Sequence, residues 1–144
     1  MLLHKEITSE IINSFYPVYN ALGYGFLEKV YENALMFELE KRGLKVQTQF
    51  PIQVYYKGKI VGNYFADLLV ANSVIVELKA AEQLIAAHET QLINYLKATE
   101  VDIGLLLETP ECSDLWSEIN GKGAWGLGPH VKISAYRSPD LWLG

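Results

Sequence analysis

The most constraining stretch of this chain is Tyr64-Phe65-Ala66-Asp67-Leu68-Leu69-Val70. It is followed, after Ala71-Asn72-Ser73, by Val74-Ile75-Val76-Glu77-Leu78-Lys79. Alternate side chains of a strand point to opposite faces. Ala66, Leu68, Val70, Val74, Val76 and Leu78 then make one wholly apolar face. The other face holds Phe65, Leu69 and Ile75, together with Asp67, Glu77 and Lys79. A hairpin that is apolar on both sides reads as the covered interior of a sheet, where charged side chains are rare.

The register of the hairpin brings these charges together. With symmetry about Asn72, Asp67 lies directly opposite Glu77, and such neighbours have Cβ atoms roughly 4.5–5.5 Å apart. Two like carboxylates so placed repel, and burial adds to the cost. They require a shared proton, a cation or a metal. Lys79, two residues along on the same face, supplies one positive charge. A hard divalent cation such as Mg²⁺ accepts oxygen ligands of this kind. A structural Asp–Lys–Glu cluster and a metal site with an adjacent lysine both fit the pattern.

The elements around this hairpin follow from periodicity and breakers. Apolar residues at Ile7, Ile11, Phe15, Val18, Tyr19 and Leu22 predict a helix over 5–22, which Pro17 should kink or split. Gly23-Tyr24-Gly25 ends it, and is no phosphate-binding glycine loop, for it lacks the preceding strand and the third glycine. A second helix is expected from about Phe26 to Arg42. Its inner side would carry Leu27, Val30, Tyr31, Ala34, Leu35, Glu38 and Leu39, with Gly43 just beyond its end. Residues 46–56 read as a strand, at an edge or bulged because of Pro51, and Lys57-Gly58-Lys59 as a hairpin turn. Strands at 60–70 and 74–79 follow, then a helix over 83–98 and a buried strand from Asp102 to Leu107. Beyond Glu108, prolines and glycines mark loops, with one further strand at 131–136. The fold class is α/β with an α+β-like mixed sheet, in the order α-α-β-β-β-α-β, plus an irregular C-terminal extension. The 144 residues read as a single domain, with its core at about 5–107 and a divergent extension at 108–144.

Charge and cysteine content narrow the class. A net charge of −5 excludes a highly basic nucleic-acid coat protein. The lone Cys112 excludes a disulfide framework or a multi-cysteine zinc site and fits a reducing compartment. No signal-peptide segment or membrane-length apolar run is read, so a cytoplasmic protein with no membrane partner is expected. Six acids and no base lie between Lys97 and Lys122, so a polyanion would bind the first two-thirds of the chain. Trp116, Trp125 and Trp142 all lie in the C-terminal extension, where they read as core or as a contact with a second copy or a partner protein.

Asp67, nine intervening residues, then Glu77-Leu78-Lys79 resembles the core of the PD-(D/E)XK nuclease superfamily. The element order resembles that superfamily's restriction-endonuclease-like core. Upstream, Gly25-Phe26-Leu27-Glu28-Lys29-Val30-Tyr31 is similar to the signature of the GxxExxY proteins, small bacterial and archaeal members. Downstream, Gln91-Leu92-Ile93-Asn94-Tyr95 is similar to their Gln-x-x-x-Tyr helix. The chain departs from the pattern at Ala66, where the superfamily has proline, and after Leu107, where its tail is acidic rather than basic.

The resemblance implies a Mg²⁺- or Mn²⁺-dependent nuclease acting on DNA or RNA. Asp67 and Glu77 would ligate the metal, with the Leu78 carbonyl as a further oxygen and Glu28 nearby, directly or through water. Lys79 would orient or help deprotonate the attacking water, and Gln91 and Tyr95 would hold Lys79 or a phosphate oxygen. Without the motifs, Glu28 reads as a helix-start carboxylate favoured by the dipole, and His88 as a half-buried structural histidine. The scarcity of Lys and Arg is the feature against a nuclease, since nucleic-acid affinity rests on neutralising phosphates. The alternative is a non-catalytic regulatory or protein-binding module on the same fold.

Overall fold

Ile7, Ile11, Phe15, Val18 and Tyr19 recur at helical spacing and are all buried along one side of α1 (His4–Leu22). The structure is a computed structural model and describes residues 4–23, 25–81, 86–110 and 132–138. After α1 come α2 (Glu28–Lys41), β1 (Val46–Tyr56), β2 (Lys59–Val70) and β3 (Val74–Ala81). They are followed by α3 (Ala86–Lys97), β4 (Ile103–Pro110) and β5 (Lys132–Arg137). The expected order of helices and strands holds. The further strand expected at 131–136 is present as β5, and residues 111–131 lie outside the described residues.

Pro17 neither ends nor splits α1. A helical proline leaves the carbonyl four residues earlier without its N–H partner. Here that carbonyl, Asn13 O, accepts from Arg42 Nη2 at 3.3 Å. Arg42 Nη1 also pairs with Glu10 at 2.9 Å, so one side chain from the end of α2 satisfies the break and ties the helices together. The end of α2 is a Schellman turn, with Gly43 N donating to Glu40 O (2.9 Å) and Leu44 N to Leu39 O (3.1 Å). The buried side of α2 is narrower than its sequence suggests. Tyr31, Leu35 and Leu39 are inside, Leu27 and Val30 are exposed, and Glu32 is buried.

The five strands form one mixed sheet in the order β1-β2-β3-β4-β5. Only β3 and β4, joined through α3, run parallel; the other neighbours are antiparallel. Pro51 lies on β1, the edge strand, where its missing N–H costs no ladder bond on the open side. One face of the sheet packs against α1 and α2 through Leu68, Val70, Val74, Val76, Leu78, Leu105 and Leu107. The other packs against α3, where Leu69, Ile75 and Leu106 meet Leu92, Tyr95 and Leu96. Gly104 on β4 sets how closely α3 approaches. A Cβ there would lie 2.7 Å from Leu92 Cδ1 and 3.0 Å from Leu92 Cγ, and Leu92 is fully buried. Gly104→Ala is therefore expected to destabilise the protein by about 1–3 kcal/mol, read as a fall in the urea midpoint, because the leucine has nowhere to retreat. Among the described residues, no helix is long and apolar enough to cross a membrane.

Candidate active site

The hairpin register matches the expectation where the strands pair, with Val70 opposite Val74, Leu69 opposite Ile75 and Leu68 opposite Val76. Pairing ends there. Beyond Leu68, β2 runs on with β1, while β3 continues along β4 to Ala81. Two backbone N–H groups at the parting are satisfied by side chains instead of by the ladder. Asp67 N donates to Glu77 Oε1 at 2.9 Å, and Leu78 N donates to Asp67 Oδ2 at 2.8 Å. Each carboxylate thus holds the other's strand. Buried N–H groups need such partners, so the acidic pair both opens the sheet and caps the opening. Phe65, expected inside, is 55% exposed, because it lies on the part of β2 that leaves with β1.

The fork gives residues from both faces of the sheet access to one place. Glu28, in the first turn of α2, turns its carboxylate to β3, where Oε1 accepts from Ala80 N at 3.2 Å. The motif around Glu28 has a physical basis. Gly25 has φ +96°, a conformation costly for residues with a side chain. Tyr31 is buried, and its hydroxyl donates to the Gly23 carbonyl, fastening the start of α2 to the end of α1. From the α3 side, Gln91 Nε2 donates to the Tyr95 hydroxyl at 2.8 Å. Lys79 is half-buried, and none of the ion pairs among the described residues involves it. His88 is half-buried as expected, with Nδ1 3.1 Å from Glu108 Oε2.

Three contributors do not stand out in the sequence. Glu32 lies one turn after Glu28, is 3% exposed, and pairs with Lys29 at 2.9 Å and Gln49 Nε2 at 3.2 Å. Gln49 sits at φ 50°, in an interruption of the β1–β2 ladder beside Asp67. Glu108, which reads as the start of a loop, is buried on β4 in register with Lys79. The four-residue spacing of Glu28 and Glu32 is a readable signal for the first. The other two depend on strand register. The three tryptophans lie outside the described residues.

Electrostatics at the fork are dominated by burial. Burial first, then the neighbouring Asp67 charge, pushes the Glu77 carboxyl up to about 8. Asp67 is raised too, again chiefly by burial; Glu32 and Glu28 add to the rise, while the Leu78 N–H and Lys79 oppose it. The Tyr95 hydroxyl is raised by burial and by the charges of Glu77 and Asp67. The pair therefore retains a proton near neutral pH unless another positive charge joins it.

Among the described residues, no three His, Cys, Asp or Glu side chains converge as a ligand set. Glu28 does not complete a trio with Asp67 and Glu77. Asp67 and Glu77 are two adjacent carboxylates, a pairing that suits Mg²⁺, which commonly takes one or two carboxylates and fills its remaining positions with water and substrate oxygens.

A mixed sheet with helices on both faces, parted at its centre by an acidic pair with a lysine two residues on, defines a restriction-endonuclease-like fold. Residues 5–117 match the PD-(D/E)XK nuclease superfamily, and the chain belongs to it. A solved structure titled "Crystal structure of SSO0001" is similar in fold, with a TM-score of 0.53 and 17% identity. That likeness covers 94% of this chain but only 58% of the other, so this chain spans less than two-thirds of that protein. No curated protein sequence matches this one.

Proposed function

We propose that this chain is a divalent-metal-dependent nuclease of the GxxExxY kind, hydrolysing phosphodiester bonds of nucleic acid. The observation that carries the reading is the Asp67–Glu77 pair at the fork, two buried carboxylates side by side whose negative charge a small hard cation would offset. Asp67 and Glu77 would hold Mg²⁺ or Mn²⁺, with the Leu78 carbonyl as a further oxygen. When bound, the ion would supply an acidified water and screen the phosphate's charge.

The chain's own residues do the rest. The backbone bonds from Leu78 and Asp67 fix each carboxylate before any ligand arrives, which limits reorganisation during the reaction. Lys79, which enters none of the ion pairs among the described residues, would offer its ammonium to the scissile phosphate and the attacking water. Glu28, anchored on Ala80 N, acts through water rather than as a direct ligand. Gln91 orients the Tyr95 hydroxyl, which can then donate to a phosphate oxygen.

The test is incubation with labelled single-stranded and double-stranded DNA and RNA in Mg²⁺, Mn²⁺ or EDTA. Cleavage is expected with metal and absent with EDTA. Asp67→Asn is expected to abolish it while keeping an oxygen for Leu78 N. Cleavage that persists in EDTA or in Asp67→Asn would overturn the assignment. No cleavage of any substrate, together with no Mn²⁺ binding by calorimetry, would leave the non-catalytic module as the reading.

A further inference from the structure

Beside the fork, the β1–β2 arm and α3 enclose a groove of about 960 Å³. Its walls carry Tyr55 and Tyr64 from the arm and Gln91, Asn94, Tyr95 and Lys97 from α3. We propose that this groove holds an unpaired polynucleotide strand by base stacking and delivers it to the Asp67–Glu77 pair. The inference rests on the nuclease reading and deepens it by naming the substrate class.

Three observations carry it. The first is continuity. Tyr64 of the groove wall stands shortly before Asp67 on β2, and Tyr95 of the same wall packs in one cluster with Ala66, the chain neighbour of Asp67. A strand lying in the groove is thereby led to the site.

The second is the chemistry of the wall. Tyr64 is 49% exposed and Tyr55 59% exposed, among several large apolar side chains that the arm presents to water, and these two line the groove. The Tyr64 and Tyr95 rings are 5.9 Å apart and tilted by 46°, so the exposed ring is braced from behind by a buried one. Gln53, Gln91 and Asn94 add amide groups to the same wall, where Gln53 Oε1 accepts from the Tyr55 hydroxyl and Gln91 Nε2 donates to the Tyr95 hydroxyl. Rings that stack on bases, with amides that meet their edges, are the equipment of single-strand recognition.

The third is charge. The groove wall holds Lys97 and no carboxylate. From Val46 to Ala66 the chain carries Lys57 and Lys59, at the tip of the arm, and no acid, although the protein as a whole has a net charge of −5. Stacking needs fewer cations than backbone neutralisation, which reconciles an acidic protein with a nucleic-acid substrate. The volume falls within the range of about 300–1,000 Å³ typical of ligand clefts, room enough for nucleotide units.

Binding is measured by fluorescence anisotropy in EDTA, so that no cleavage occurs, with short labelled single strands and the matching duplex. Single strands are expected to bind more tightly than duplex, and deoxy and ribo strands alike, because stacking reads the base and not the sugar. Tyr64→Ala and Tyr55→Ala are each expected to weaken single-strand binding roughly tenfold, the loss typical of one stacking ring. Tyr64→Phe is expected to retain it. Duplex binding as tight as single-strand binding, or affinity unchanged in both alanine variants, overturns the inference. So does a change in oligomeric state on Tyr64→Ala without loss of oligonucleotide binding, since the groove would then house a second copy.

Its failure is distinguishable from failure of the nuclease reading. Metal-dependent cleavage by the wild type with no effect of the tyrosines sinks only the groove. Tyrosine-dependent strand binding without cleavage sinks only the nuclease.

Discussion

Lys79→Ala is expected to keep its fold and to cleave phosphodiesters about 10²–10³-fold more slowly, the usual cost of removing one preorganised electrostatic group. The expectation rests on its surroundings. Lys79 is half-buried and takes no part in the ion pairs of the described residues, whereas Asp67 and Glu77 are held by backbone N–H groups and by their shared burial. Metal binding should survive or strengthen, since a positive charge near the ion has been removed. A structural ion cluster behaves in the opposite way. If Lys79 were there to neutralise the pair, its loss would strand two buried carboxylates and cost roughly 3–5 kcal/mol. Thermal melts in EDTA, beside initial rates in Mn²⁺, separate the two. A Lys79→Ala protein that melts far below the wild type, while Asp67→Asn stays native, would count against catalysis.

The metal-free protein should lose stability as pH rises from about 4.5 to about 8. Glu77 has an ordinary value of 4.5, and burial beside Asp67 lifts it to about 8 in the folded chain. Folding therefore tightens proton binding at this group. Its contribution is fully present below the unfolded value and is lost as pH rises through the folded one. The change should be on the order of a few kcal/mol, since a tenfold tightening of proton binding corresponds to about 1.4 kcal/mol. Urea midpoints measured in EDTA across this range give the slope directly. Glu77→Gln, neutral throughout, should flatten it. Mn²⁺ should counter the alkaline loss, by about 2.7 kcal/mol at a hundredfold excess over its dissociation constant. A wild-type slope equal to that of Glu77→Gln would refute the assignment of the proton to this pair.

Much of this is legible in residue order. The hairpin centred on Asn72 and its register follow from two apolar strands and a short turn, because a slip by one residue would turn every side chain to the other face. Tyr31, Leu35 and Leu39 mark the buried side of α2, and the apolar run ending at Leu107 is readable as a covered strand, although β4 continues to Pro110. The acidic pair with its lysine stands out because charges are rare in such a context.

Other features are decided by tertiary contacts. Pro17 argues for a break, and only the approach of Arg42 from another helix supplies the donor that keeps α1 whole. Nothing local marks Glu32 or Glu108 as buried; packing places them inside, beside Gln49 and His88. Phe65 belongs to an apolar pattern, yet the parting of β2 from β3 leaves it in water. Local order determines period, turn and face, since these depend on neighbours along the chain. Where the strands part, which carboxylates meet there, and that an aromatic groove opens beside them depend on segments far apart in sequence. Those are properties of packing, and they arise only once the sheet and its two helical layers have closed around the fork.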